Sequence, residues 1–318
     1  MMLSRTDLLL RSTAFLVVHV AVIFLVNNVL TFWWSWPGAL NTLKGDGGGL
    51  LGWLQLASYI GAPLWAAMHV YFHRQATYGE LSVRVSNWAA YTIRVAFWMV
   101  LLVGMADMLV SFMRIESMLP ALIGDELTLE LGKPRFRGLY LHLPLMLLSF
   151  LVAWHSRGLG FIWLTLMVVV AEFMIVITRF IFSYEQAFMG DLVRFWYAAL
   201  FLFASAHTLL NEGHIRVDVA YTHFSDRAKA WVNVVGIFLL GLPLCGVILS
   251  LGMWSKTSSI NSPLISVEVS QSGYGMYVKY IMVGYLAIFA FSMAIQFASY
   301  LLSQFGVLRA NSKQVMEP

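Results

Sequence analysis

Apolar runs of twenty or so residues, set apart by short charged or glycine-rich loops, constrain this chain more than any other feature. A hydrocarbon core about 30 Å thick takes about 20 apolar residues to cross at about 1.5 Å rise per residue. Runs of that length lie at about 9–32, 50–72, 87–113, 138–155, 158–182, 190–210, 229–253 and 276–304. With 60% hydrophobic and only 11% charged residues, where soluble domains carry about 25% charged, a water-soluble enzyme and a disordered tail are excluded. The expected fold class is all-α: a polytopic membrane protein of about eight transmembrane helices.

The net charge of +4 is spread thinly and forms no basic stripe that would grip nucleic acid. The single cysteine, Cys245, precludes an internal disulfide and a cysteine metal cluster. The first run is too long for a cleaved signal peptide and lacks a small-residue cleavage site. With Asn27, Asn28 and the cluster Trp33, Trp34 and Trp36 at its end, it reads as a retained helix ending in an interfacial aromatic belt. An even number of spans puts both termini on one side. Ten Lys/Arg fall on the side of the termini and nine on the other. Four of those nine (Arg114, Lys133, Arg135, Arg137) share one loop, and setting it aside favours cytoplasmic termini. That loop also holds Leu119, Leu122 and Ile123 at helical spacing, as in a short amphipathic piece.

The two sequence halves match faintly, as in a four-plus-four parallel repeat. His69 corresponds to His207, Arg84 and Trp88 to Arg227 and Trp231, and Gly138-Leu-Tyr-Leu to Gly275-Met-Tyr-Val. Chance similarity among apolar helices would give the same impression.

Ionisable groups inside a bilayer cost roughly 2.5–3.5 kcal/mol at mid-helix on insertion scales, so each needs a partner or a purpose. Three stand out: Arg94, Asp107 and Glu172. Arg94 and Asp107 lie about 20 Å apart along one helix and cannot pair, so each must face another helix, a subunit or headgroups. Glu172 and Arg179 share a helix face about 10 Å apart, too far for a direct bridge. Glu172 reads either as a proton or cation site or as a hydrogen-bonded structural acid. Six histidines within or beside the spans leave open a haem-binding, cytochrome b-like membrane subunit. There is no Walker loop, no Gly-x-Ser-x-Gly elbow and no Cys-x-x-Cys, so catalysis is not expected and neither a cofactor nor a metal is implied.

The loop after the sixth run reads Glu212-Gly213-His214-Ile215-Arg216-Val217-Asp218-Val219. It resembles the Gly-His-hydrophobic-Arg-hydrophobic-Asp segment of the small (DctQ-type) membrane subunit of tripartite ATP-independent periplasmic (TRAP) transporters. Arg179-Phe180, Asp191-Leu-Val-Arg194-Phe and the basic Arg227 resemble the same family's helix ends, so the likeness covers about 158–304. The resemblance implies a scaffold in a bacterial inner membrane. Such a scaffold binds no substrate and holds a large elevator-type permease, to which a periplasmic binding protein delivers an organic acid, usually with sodium. It makes Asp191, Arg194, His214, Arg216, Asp218 and Arg227 contacts to that partner or to lipid. A local Arg216–Asp218 ion pair that only shapes the loop is the plainer alternative. Residues 158–318 would form the four-helix small-subunit domain, and 1–157 an N-terminal four-helix extension that lacks the segment. The extension is expected to enlarge contact with the large subunit, another protein or lipid.

Overall fold

The structure, a computed structural model, describes residues 4–46, 48–157, 161–210, 221–270 and 275–314. Among them there is no strand. Eight long helices run in chain order. They are α1 (Arg5–Phe32), α2 (Gly49–Phe72), α3 (Tyr78–Ile115), α4 (Pro134–His155), α5 (Phe161–Phe182), α6 (Ala187–Leu210), α7 (Asp226–Met253) and α8 (Lys279–Gln314). Seven of these are long and apolar enough to cross a membrane. The remaining one, α2, has 24 residues, but Gln55, Pro63 and His69 dilute its apolar character. Short helices Leu119–Ile123 and Asp125–Leu131 form in the loop where helical spacing was expected.

Two helices share a local irregularity. In α4 a widened π-turn spans Gly138–His142, and in α7 another spans Ile237–Gly241. Each is followed by Leu-Pro-Leu, at Leu143–Leu145 and Leu242–Leu244. Proline has no N–H to give the carbonyl four residues back, and its ring collides with that carbonyl. That carbonyl belongs to Tyr140 in α4 and Leu239 in α7, and both residues lie inside the widened turns, which relieve the clash.

The chain divides into two compact units, each drawing on residues from both sides of position 157. The first comprises Met1–Ala89, Leu209–Lys256 and Ala290–Pro318. Its core packs Phe15 and Val18 of α1 against Ala66 and Val70 of α2, Leu81 and Val85 of α3, and Leu301 and Phe305 of α8. Polar side chains join the helices where lipid offers no partner. The hydroxyl of Ser82 donates to the Ser299 carbonyl at 2.9 Å, and that of Ser299 returns a bond to the Ser82 carbonyl at 2.7 Å. Asn27 and Asn28, which close the apolar run of α1, are buried rather than interfacial. They donate to Ser58 Oγ and to the Met253 carbonyl. At the start of α1, Ser4 caps the helix and Asp7 pairs with Arg309 at 2.8 Å.

The second unit comprises Ala90–Thr208 and Thr257–Phe289. Phe195 and Phe203 of α6 close on the Tyr285 ring at 5.4 and 5.0 Å between centroids. Gly104 of α3 makes room for α6, since a Cβ there would stand 2.6 Å from Trp196 Nε1. On α5, by contrast, Leu164 is the single buried side chain among those described.

Candidate functional site

The second unit contains a fully buried charge cluster. Asp107, Arg137 and His142 each have no exposed surface. One oxygen of Asp107 accepts from Arg137 Nη1 and from His142 Nε2, both at 3.0 Å. The other accepts from the backbone N–H of Tyr277 at 2.7 Å. Arg137 also donates to Ser111 Oγ at 3.1 Å and to the Leu131 carbonyl at 2.9 Å, and its guanidinium lies 4.0 Å over the Tyr277 ring. His142 Nδ1 meets the Tyr280 hydroxyl at 2.9 Å. The Tyr277 hydroxyl donates to the Gly132 carbonyl and accepts from Arg114.

Local structure explains the convergence. Asp107 and Ser111 are four apart on α3 and so share a face. Arg137 and His142 are five apart, which in a straight α-helix would turn them about 140° from one another. The π-turn between them carries an i to i+5 bond, Leu143 N–H to Gly138 O, so residues five apart come round to one side. Both can then reach a single carboxylate. In a low-dielectric interior such a group holds together only when nearly every donor and acceptor is matched. Arg137 Nη2 is the exception, buried with no hydrogen-bond partner among the described residues. The arrangement neutralises one acid with one guanidinium and clamps α3 and α4 to the start of α8. Both nitrogens of His142 are engaged, so it offers no axial ligand to a haem. Among the described residues no group of three or more His, Cys, Asp or Glu could hold a metal.

Asp107, expected to face another helix, a subunit or headgroups, finds its partners on another helix. In the sequence Arg137 and His142 escaped notice. Arg137 counted as a loop charge for topology and His142 as one of the six histidines within or beside the spans, yet both are buried against Asp107. The available signal was an Arg and a His flanking an apolar stretch just ahead of Pro144. Arg94 stays apart from Asp107, its guanidinium 5.8 Å from the Tyr91 ring. Glu172 sits exposed on α5, with no hydrogen bond or ion pair to any described residue. Arg179 pairs with Glu185 at 3.4 Å, not with Glu172. Asp191 is mostly buried, accepting from the Met276 N–H at 3.0 Å and from Arg194 at 3.3 Å. Arg227 is exposed in the first turn of α7. His214, Arg216 and Asp218 lie outside the described residues, as does the side chain of His207. Outside the spans, the Tyr184 hydroxyl donates to Glu116 at 2.6 Å. Its pKa is pushed up to about 12 by partial desolvation and by the Glu116 carboxylate.

Residues 166–306, which take in α5 to α7 and most of α8, match the family of tripartite ATP-independent periplasmic transporters, DctQ component. This stretch is DctQ-type. The matched stretch is that of a small TRAP transporter subunit, additional helical sequence precedes it, and the apolar helices are those of a multi-pass membrane protein. No curated protein and no solved structure matches the chain. The DctQ-type residues Tyr277 and Tyr280 contact the Asp107 cluster, whose other members lie in the preceding helices. Within the second unit, the added α3 and α4 are therefore bonded to the family's region through buried polar groups.

Proposed function

We propose that the protein is the membrane scaffold of a TRAP system. It holds a large elevator-type permease that takes up organic acids, delivered by a periplasmic binding protein, by symport with a cation. The family match across α5 to α8 carries this reading. The buried Asp107–Arg137–His142 cluster agrees with it, since a scaffold must stay rigid while its partner moves. In this reading residues 158–318 act as the small subunit, and the four-helix extension 1–157 widens the contact with the permease, another protein or the surrounding lipid. Both termini face the cytoplasm. Asp191, Arg194, His214, Arg216, Asp218 and Arg227 meet the permease or lipid phosphate, the latter a good partner for Arg just inside a membrane.

The test is co-expression of the full chain with a large TRAP permease and a periplasmic binding protein from the same organism. Tagged protein should retain the permease through purification, and deleting the chain should abolish uptake. Arg216→Ala should weaken both. A protein that purifies alone under these conditions, or that shows a Soret band, would refute the assignment.

A further inference from the structure

The helix α5 is arranged differently from its neighbours. On one face Met167, Val170, Ala171 and Met174 line a cavity of about 250 Å³ that is completed by side chains of α3 and α6, among them Met105 and Trp196, although Val170 and Met174 remain 48% and 54% exposed. At 100° per residue, Glu172 lies about 150° around the helix from the middle of that face. It therefore points away from that cavity and the side chains of α3 and α6 that complete it. Beside it runs an apolar stripe, Val169, Phe173, Val176 and Phe180, exposed by 58%, 64%, 48% and 78%. Phe161–Phe182 has 22 residues, and Glu172 stands at its midpoint, the depth at which an unpaired carboxylate is least tolerable in lipid.

The acids of the described spans that are not exposed have solved this problem within the chain, and the exposed Glu80 and Asp226 stand in the first turns of their helices, away from mid-depth. Asp107 has Arg137 and His142, Asp191 has Arg194 and a backbone N–H, and Asp7 has Arg309. Glu172, at mid-helix, has no hydrogen bond or ion pair to any described residue, and a lipid tail offers neither a donor nor a countercharge. A carboxylate at mid-depth, flanked by large apolar side chains on an open helix face, complements one kind of surface: a transmembrane helix with a basic side chain at the same depth.

We propose that the Glu172 face of α5 is the docking surface for a transmembrane helix of the large permease, which places a Lys or Arg against Glu172 inside the membrane. This rests on the scaffold reading above. It assigns that scaffold a contact within the bilayer, separate from the charged loop after α6. Val169, Phe173 and Val176 supply the apolar contact, and the ion pair fixes depth and register, a use in which a buried charge is retained for specificity.

The test uses the full chain co-expressed with its permease, comparing wild type with Glu172→Gln, Glu172→Leu and Val176→Trp. Wild type should retain the permease, which checks the scaffold reading by itself. Glu172→Leu should lower the retained permease about tenfold, with Glu172→Gln intermediate and Val176→Trp also reduced. Because Glu172 is exposed and makes no hydrogen bond or ion pair with any described residue, Glu172→Leu expressed alone should fold with unchanged yield and melting temperature. Replacing Phe173 by a photo-crosslinking benzoylphenylalanine should give an adduct at the summed mass of subunit and permease. If wild type retains the permease and Glu172→Leu retains it equally, the docking face is wrong and the scaffold reading stands. Adducts joining two copies of this chain, or no protein adduct at all, would likewise overturn it. They would give the face to a homodimer or to lipid. A wild type that retains no permease overturns both.

Discussion

Asp107 and Arg137, thirty positions apart in the chain, meet at 3.0 Å with no solvent exposure on either side chain. The pair joins α3 to α4, and the Tyr277 N–H extends it to the DctQ-type part of the chain.

Removing one member of this pair strands the other. Asp107→Ala leaves an uncompensated guanidinium and is expected to cost about 3–5 kcal/mol. Asp107→Leu combined with Arg137→Met, which removes both charges, should recover most of that loss. Denaturant or thermal unfolding in detergent micelles reads the difference. A double variant no better than the single one would show that the cluster does more than cancel charge.

The π-turn in α4 should matter through the cluster. Pro144→Ala restores an N–H that can close an ordinary helical turn, swinging Arg137 and His142 apart. It should destabilise wild type, yet be near neutral in the Asp107→Leu/Arg137→Met background, giving a coupling of about 0.5–3 kcal/mol in a double-mutant cycle. Equal effects in both backgrounds would separate the turn from the charges.

Gly104 allows the close approach of Trp196. Gly104→Val pushes a branched side chain into the indole and should cost about 1–3 kcal/mol through overpacking. Pairing it with Trp196→Phe, which withdraws the Nε1 edge, should relieve part of the loss in the same melting assay.

Tyr184 gives a pH signature. Its pKa is raised to about 12, above that of an unfolded tyrosine near 10, so its bond to Glu116 contributes fully below about pH 10. That contribution is lost as pH rises towards 12. Ultraviolet titration comparing wild type with Tyr184→Phe should lose one late-ionising tyrosine. Replacing Glu116 by Gln should return that tyrosine towards its ordinary range.

Hydrophobic run length is local information, and it delivered the membrane class, the helices and their approximate ends. The Gly-His-x-Arg-x-Asp segment is likewise contiguous, and with the helix-end residues around it pointed to the family that the match over 166–306 bears out. The need of Asp107 for another helix, a subunit or headgroups was also legible, because a charge at mid-span is costly without a partner. Tertiary structure decided who meets whom. Arg137 looked like one more loop cation because hydropathy averages cannot show that a π-turn will rotate it with His142 onto a carboxylate thirty residues back. Asn27 and Asn28 looked interfacial for the same reason, though neighbouring helices supply their bonds. Glu172 and Asp107 are alike in sequence, each an acid in an apolar run. Only the packing of α3, α4 and α6 leaves one enclosed by donors and the other facing outward, because a side chain's surroundings are set by which helix lies beside it.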